Sequence, residues 1–197
     1  RLKAAADNGW PVFVHVNGDE AVQALIDGVR ANGLSGQRTI AIHEAGHAVL
    51  GHVLPHADPV HRVSIVARGQ ALGWTLSLPE EDRYLTSQAQ LVDRMAMTLG
   101  GRVAEELVFG EITTGAADDI EQVTELARRM VTEFGMSDEL GPLRYGSDEP
   151  QVAGRDPHGV TVSEEVAARV DAEIARLVTE ARGRARELLA RHRDLLD

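Results

Sequence analysis

Thr39-Ile40-Ala41-Ile42-His43-Glu44-Ala45-Gly46-His47-Ala48-Val49-Leu50 sets two histidines four residues apart in an otherwise apolar run. In a helix, at about 100° per residue, positions four apart share one face, so both imidazoles reach the same side. Two histidines so spaced can hold one Zn2+, and a glutamate directly after the first stands beside the metal, where its carboxylate can take a proton from water. A helix with two histidines can also be an ordinary surface or core helix. Here three polar or ionisable groups interrupt a segment that reads as buried, and buried polar groups need partners. That context favours a metal site at His43 and His47 with Glu44 as general base.

A catalytic zinc takes a third protein ligand and keeps one position open. The extended HExxHxxGxxH pattern does not supply it, because Leu50 and Val53 stand where its glycine and third histidine would be. The candidates elsewhere are His52, His56, His61, Glu105, Glu106, Asp118 and Asp119, and spacing alone does not choose among them. An acidic pair such as Glu105-Glu106 on an amphipathic helix is more often a solvated face. Asp118-Asp119 opens a helix, where the dipole favours acids for structural reasons alone.

Working outward from the histidine helix, Pro55 and Pro59 end it after Val53, and its start reads at about Arg38. Alternating apolar residues between Val60 and Leu78, split by Gly69 and Gly73, predict two or three short strands. A helix then runs from a cap at Thr86 to about Val108, with Leu91, Met95, Leu99, Val103 and Leu107 four apart. Gly100-Gly101 inside it costs roughly 1 kcal/mol each against alanine, which points to a close backbone crossing. Ala116 to Phe134 reads as a helix stopped by Gly135, Gly141 to Gly159 as a loop, and Ser163 as the cap of a long last helix. Its early glutamates and late arginines match the helix dipole. The fold class is mainly α with a small β-sheet (α+β).

Residues 1–36 read as a separate short unit: a strand at Val12 to Val16, a helix at Asp19 to Ala31, and turns at Asn32-Gly33 and Ser35-Gly36. Residues 37–197 form the main domain.

The chain has 197 residues, enough for one well-buried domain. Only 4% are aromatic, so the core is aliphatic. With no cysteine, disulfides, thiolate ligands and a thiol nucleophile are excluded, leaving His, Asp and Glu as metal ligands. A net charge of −11 with no basic cluster argues against nucleic acid. No apolar run reaches the roughly 18 residues of a membrane span, and no signal peptide is evident, so the chain reads as soluble.

From Thr39 to about Tyr145 the chain resembles the peptidase domain of the FtsH family of ATP-dependent zinc proteases. The resemblance rests on His43-Glu44-Ala45-Gly46-His47-Ala48, Ala71-Leu72-Gly73-Trp74-Thr75, Asp82-Arg83-Tyr84-Leu85-Thr86, Leu99-Gly100-Gly101-Arg102, Ala104-Glu105-Glu106, Val108-Phe109-Gly110-Glu111 and Thr113-Thr114-Gly115-Ala116. It continues through Met136-Ser137, Leu140-Gly141-Pro142-Leu143 and Ser163-Glu164-Glu165-Val166. It implies Zn2+ as cofactor, Asp119 as third ligand, unfolded polypeptide as substrate, a homohexamer, and a parent anchored in the inner membrane with this domain on the cytoplasmic side. The family commonly has Asn where Asp118 stands, so an extra carboxylate is expected near the metal. Arg68 to Leu78 resembles an edge strand to which an extended substrate adds by backbone hydrogen bonds.

Family members carry membrane helices and an ATPase module with a GxxxxGK[ST] loop upstream; this chain has no such loop, so ATP binding is not carried over. Val14-His15-Val16-Asn17-Gly18-Asp19-Glu20-Ala21 resembles instead a strand and turn of an amidohydrolase barrel, whose corresponding histidine, here His15, lies at a metal centre. With the barrel's other parts missing, His15 is expected to be inactive, and deletion of residues 1–36 is expected to leave peptidase activity intact. Two other functions compete: a non-catalytic metal-binding assembly module, and a metal-dependent hydrolase of small amides.

Overall fold

The computed structural model describes residues 13–14, 35–65, 73–77, 85–145 and 162–196. At its centre lies helix α1 (Ser35–Val53), which packs against most of the other elements. Ala41, Ile42, Ala45, Ala48, Val49 and Leu50 are all buried, so neighbours surround the helix. Its start falls three residues before the expected Arg38, and Ser35-Gly36 forms the first turn rather than a linker. The first amides of a helix have no carbonyl partner four residues back, so glycine costs little there.

Strand β1 (Phe13–Val14), β2 (Val60–Ser64) and β3 (Trp74–Ser77) form an antiparallel sheet in the order β1-β2-β3. Phe13 lies opposite Ser64 and Val14 opposite Val63, so part of the strand expected at 12–16 joins this sheet. On the other side of β2, Val63 pairs with Thr75 and Ser64 with Trp74. The expected helix at 19–31 lies outside the described residues, as does most of the loop after Gly141.

The helix expected from Thr86 to Val108 is two: α2 (Gln88–Thr98) and α3 (Gly100–Phe109), divided at Leu99. Ser87, not Thr86, is the cap: its hydroxyl accepts from Gln90 N–H while the Gln90 side chain accepts from Ser87 N–H. The glycines at the break answer to the crossing with α1. A Cβ on Gly46 would lie 2.3 Å from the Gly100 carbonyl oxygen, and one on Gly101 2.4 Å from the His43 ring. Two backbones thus meet where no side chain fits.

A short 3-10 turn (Thr114–Ala116) leads into α4 (Ala117–Thr132), and α5 (Glu164–Arg191) follows with Ser163 as its cap. The last element, α6 (Arg193–Leu196), buries Leu196. Helix α5 packs across α2, α3 and α4 and closes a core of aliphatic residues and methionines, including Leu50, Met95, Val103, Met130 and Leu189. The molecule is mainly α with a small sheet.

Candidate metal centre

Helix α1 carries both histidines on one face, as their spacing requires, with ring centroids 4.8 Å apart and nearly perpendicular. Helix α4 brings its first turn to them. Asp119 Oδ2 lies 3.1 Å from His43 Nε2 and 3.5 Å from His47 Nε2. Among the described residues these three form the group whose ligand atoms all lie within 4.8 Å of one another.

The other nitrogen of each ring is already committed. His43 Nδ1 lies 2.7 Å from Glu105 Oε1, and His47 Nδ1 lies 2.9 Å from the Met97 carbonyl oxygen. Each Nδ1 therefore donates, which aims both Nε2 atoms at Asp119. Carboxylates and carbonyls commonly orient metal-binding histidines in this way. Glu105 is 1% exposed and its second oxygen accepts from the Thr113 N–H at 2.9 Å. This corrects the solvated-face reading for Glu105. Glu106 does keep to the rim, paired with Arg182 and Arg186.

Two nitrogens and one carboxylate oxygen, converging in a partly buried site, match the donor set and count of a catalytic zinc. A protonated His43 ring, set between the Asp119 and Glu105 carboxylates, supplies positive charge where a cation's would otherwise lie. Burial pulls the His43 pKa down, but hydrogen bonds to Asp119 and Glu105 outweigh it and hold it at about 9. Burial likewise works against ionised Asp119, yet both histidines keep its carboxyl well below the usual range.

Glu44 is 5% exposed, and burial raises its pKa against the opposing pull of His47, Thr75 and His43. The Thr75 hydroxyl donates to Glu44 Oε2 at 2.6 Å. Thr75 belongs to β3, the part of the expected edge strand that lies within the described residues.

The remaining candidates do not join this group. His52 and His61 are exposed, His56 binds the buried Asp93, and Asp118, expected near the metal, is exposed beside Asp119. His15 lies outside the described residues. Sequence reasoning missed the parts played by Thr75, the Met97 carbonyl and the Thr113 amide. Gly100-Gly101 hinted at a close approach, but no local signal named what would approach.

The fold, with its HExxH helix at the centre, places the chain among the metallopeptidases. Residues 33–197 match the profile of peptidase family M41, and the chain belongs to that family. The ATP-dependent zinc metalloprotease FtsH 3 of Symbiobacterium thermophilum is 55% identical over 163 residues, covering 82% of this chain and 26% of that protein. FtsH 1 of Conexibacter woesei is 47% identical over 198 residues, 98% of this chain and 30% of that protein. FtsH of Pseudothermotoga lettingae is 48% identical over 200 residues, 98% of this chain and 32% of that protein. The chain thus spans between 26% and 32% of the length of these relatives. Alignments over 98% of the chain take in most of residues 1–36, which therefore need no amidohydrolase barrel to account for them.

Proposed function

We propose that the chain is the zinc-dependent endopeptidase part of a longer protease, with His43, His47 and Asp119 holding Zn2+ and Glu44 as general base. The observation that supports this most is the pair of Nε2 atoms aimed at Asp119 while Glu105 and Met97 occupy both Nδ1 atoms. Zinc, when bound, supplies Lewis acidity to a peptide carbonyl and lowers the pKa of water beside it. Glu44 takes the proton of the attacking water and passes it to the leaving amine. Its burial and raised pKa favour that exchange, since a base works best with a pKa near the operating pH.

Substrate is unfolded polypeptide, bound as an added strand along β3, which lies at the edge of the sheet among the described residues and next to Glu44. The relatives are named as ATP-dependent, and an ATPase module that delivers such chains belongs to the proposed parent. A homohexameric parent anchored in the inner membrane, with this domain on the cytoplasmic side, belongs to the same proposal. No helix among the described residues is long and apolar enough to cross a membrane. Residues 37–197 are the peptidase domain, and residues 1–36 belong to the same parent, since β1 extends the peptidase sheet.

Casein hydrolysis and zinc content, measured together for the wild-type chain and Glu44→Gln, test this reading. The expected result is cleavage that falls about 100-fold or more in Glu44→Gln, with zinc retained in both. Zinc without cleavage in either would favour the assembly module. Turnover of small amides but not of casein would favour the amide hydrolase.

A further inference from the structure

Glu44 stands between two elements: its backbone belongs to α1, but its carboxylate is held from β3. Thr75 Oγ1 donates to Oε2 at 2.6 Å, a length characteristic of a hydroxyl on an ionised carboxylate. Gly73 approaches the same group. A Cβ there would lie 2.6 Å from Oε1, 3.0 Å from Cγ of Glu44 and 2.8 Å from Cγ2 of Ile40. Residues two apart in an extended chain face the same way, so Gly73 and Thr75 present one side of this strand to Glu44, one leaving room and the other supplying a hydroxyl. Thr75 is itself fixed by pairing opposite Val63, which is 1% exposed.

We propose that Thr75 is a positioning residue for Glu44: its hydroxyl fixes the plane of the carboxylate and ties the base to the edge strand. This rests on Glu44 being the general base. A glutamate has three side-chain torsions, and burial between α1 and β3 limits but does not set the last of them, which is broad and roughly two-fold. A hydrogen bond to one oxygen sets it. Because the tie comes from the proposed substrate-binding strand, a shift of that strand moves the base with it, keeping substrate and base in register.

Thr75→Val keeps the branched shape and strand preference while removing the hydroxyl, and Thr75→Ser restores the hydroxyl on a smaller side chain. Both are compared with wild type and Glu44→Gln, zinc-loaded, on a flexible peptide substrate, with zinc content, circular dichroism and the affinity of a peptidyl hydroxamate. A hydroxamate chelates zinc and shares its proton with a well-placed carboxylate, so it reports the position of Glu44 without turnover.

For Thr75→Val the expected result is a kcat about 10- to 100-fold lower with KM within about twofold. Zinc content and helix content stay unchanged, the hydroxamate binds about 10-fold more weakly, and Thr75→Ser recovers most of both losses. Wild-type kcat and hydroxamate affinity in Thr75→Val, alongside an inactive Glu44→Gln, would overturn the positioning role and leave the general base standing. Loss of zinc or of helix content in Thr75→Val would assign Thr75 to the scaffold and overturn it too. Glu44→Gln as active as wild type would overturn both readings. If wild type shows no turnover, the hydroxamate affinities decide by the same comparison.

Discussion

Glu105 and Asp119 bracket His43, one at each ring nitrogen, and that bracket governs the protonation of the ring. Burial disfavours an imidazolium, yet the two carboxylates stabilise it enough to hold the pKa at about 9 against an ordinary 6.5. With His43 as a ligand, as proposed, zinc needs its unprotonated Nε2, so binding at pH 7 displaces a proton from the ring. The sign is fixed by the direction of the shift: affinity for zinc rises with pH, about tenfold per unit, until His43 is neutral above about 9. In the metal-free chain the stability contributed by the charged ring is fully present below about 6.5 and is lost as pH rises through about 9. Calorimetric zinc titration at pH 7 in buffers of different ionisation heat should show release of about one proton from this ring. Release near zero would mean that His43 is already neutral without metal.

At the scale of elements, the crossing of α1 and α3 decides where the histidines can sit. Gly46 faces the Gly100 carbonyl, and backbone there cannot yield as a side-chain tip would. Gly46→Ala is expected to destabilise the fold by about 3 kcal/mol or more, since overpacking a rigid contact costs about 1–3 kcal/mol even where side chains can move. Gly183 gives the opposite case. It lies within α5, and a methyl group there would meet nothing within 4 Å, so Gly183→Ala is expected to stabilise by about 0.5–1 kcal/mol. Denaturant unfolding of both variants measures the two signs. Equal effects would mean that the crossing is looser than the glycines suggest. Gly100-Gly101 announced this contact in the sequence because glycine pairs are costly in helices, but the partner glycine in α1 lay inside the HExxH string and gave no separate signal.

Across the whole molecule, α5 holds α2 and α3 together through charge as well as packing. Arg182 and Arg186 hold Glu106 on α3, and Arg184 lies 2.9 Å from Oδ1 of the fully buried Asp93 on α2. His56, just beyond α1, closes on the other oxygen of Asp93. Among the described residues, the N-terminal strand pairs with β2 on the side away from β3. Deleting residues 1–36 removes β1 and the first turn of α1 but leaves His43, His47, Asp119 and β3 in place. The expected outcome is a lower melting temperature with zinc still bound and casein still cleaved. Loss of zinc in the truncated chain would show that the sheet must be complete to seat α1.

Backbone periodicity and local chemistry account for a buried helix with His43 and His47 on one face, Glu44 beside them, the Ser163 cap and an aliphatic core, while the helix expected to run to Phe134 ends earlier, at Thr132. These follow from the helix repeat and from what single residue types do at helix ends. The family resemblance implies Asp119, but the residues alone leave the choice open, and it is the packing of the helices that brings both Asp119 and Glu105 onto the histidines. Asp119 lies 76 residues from His43, Glu105 62 residues from it, and Thr75 31 residues from Glu44. No periodicity links positions so far apart. Their meeting depends on how closely α1 crosses α3 and where that leaves the first turn of α4, which is a matter of side-chain volume at the crossing and of which buried polar groups find partners there.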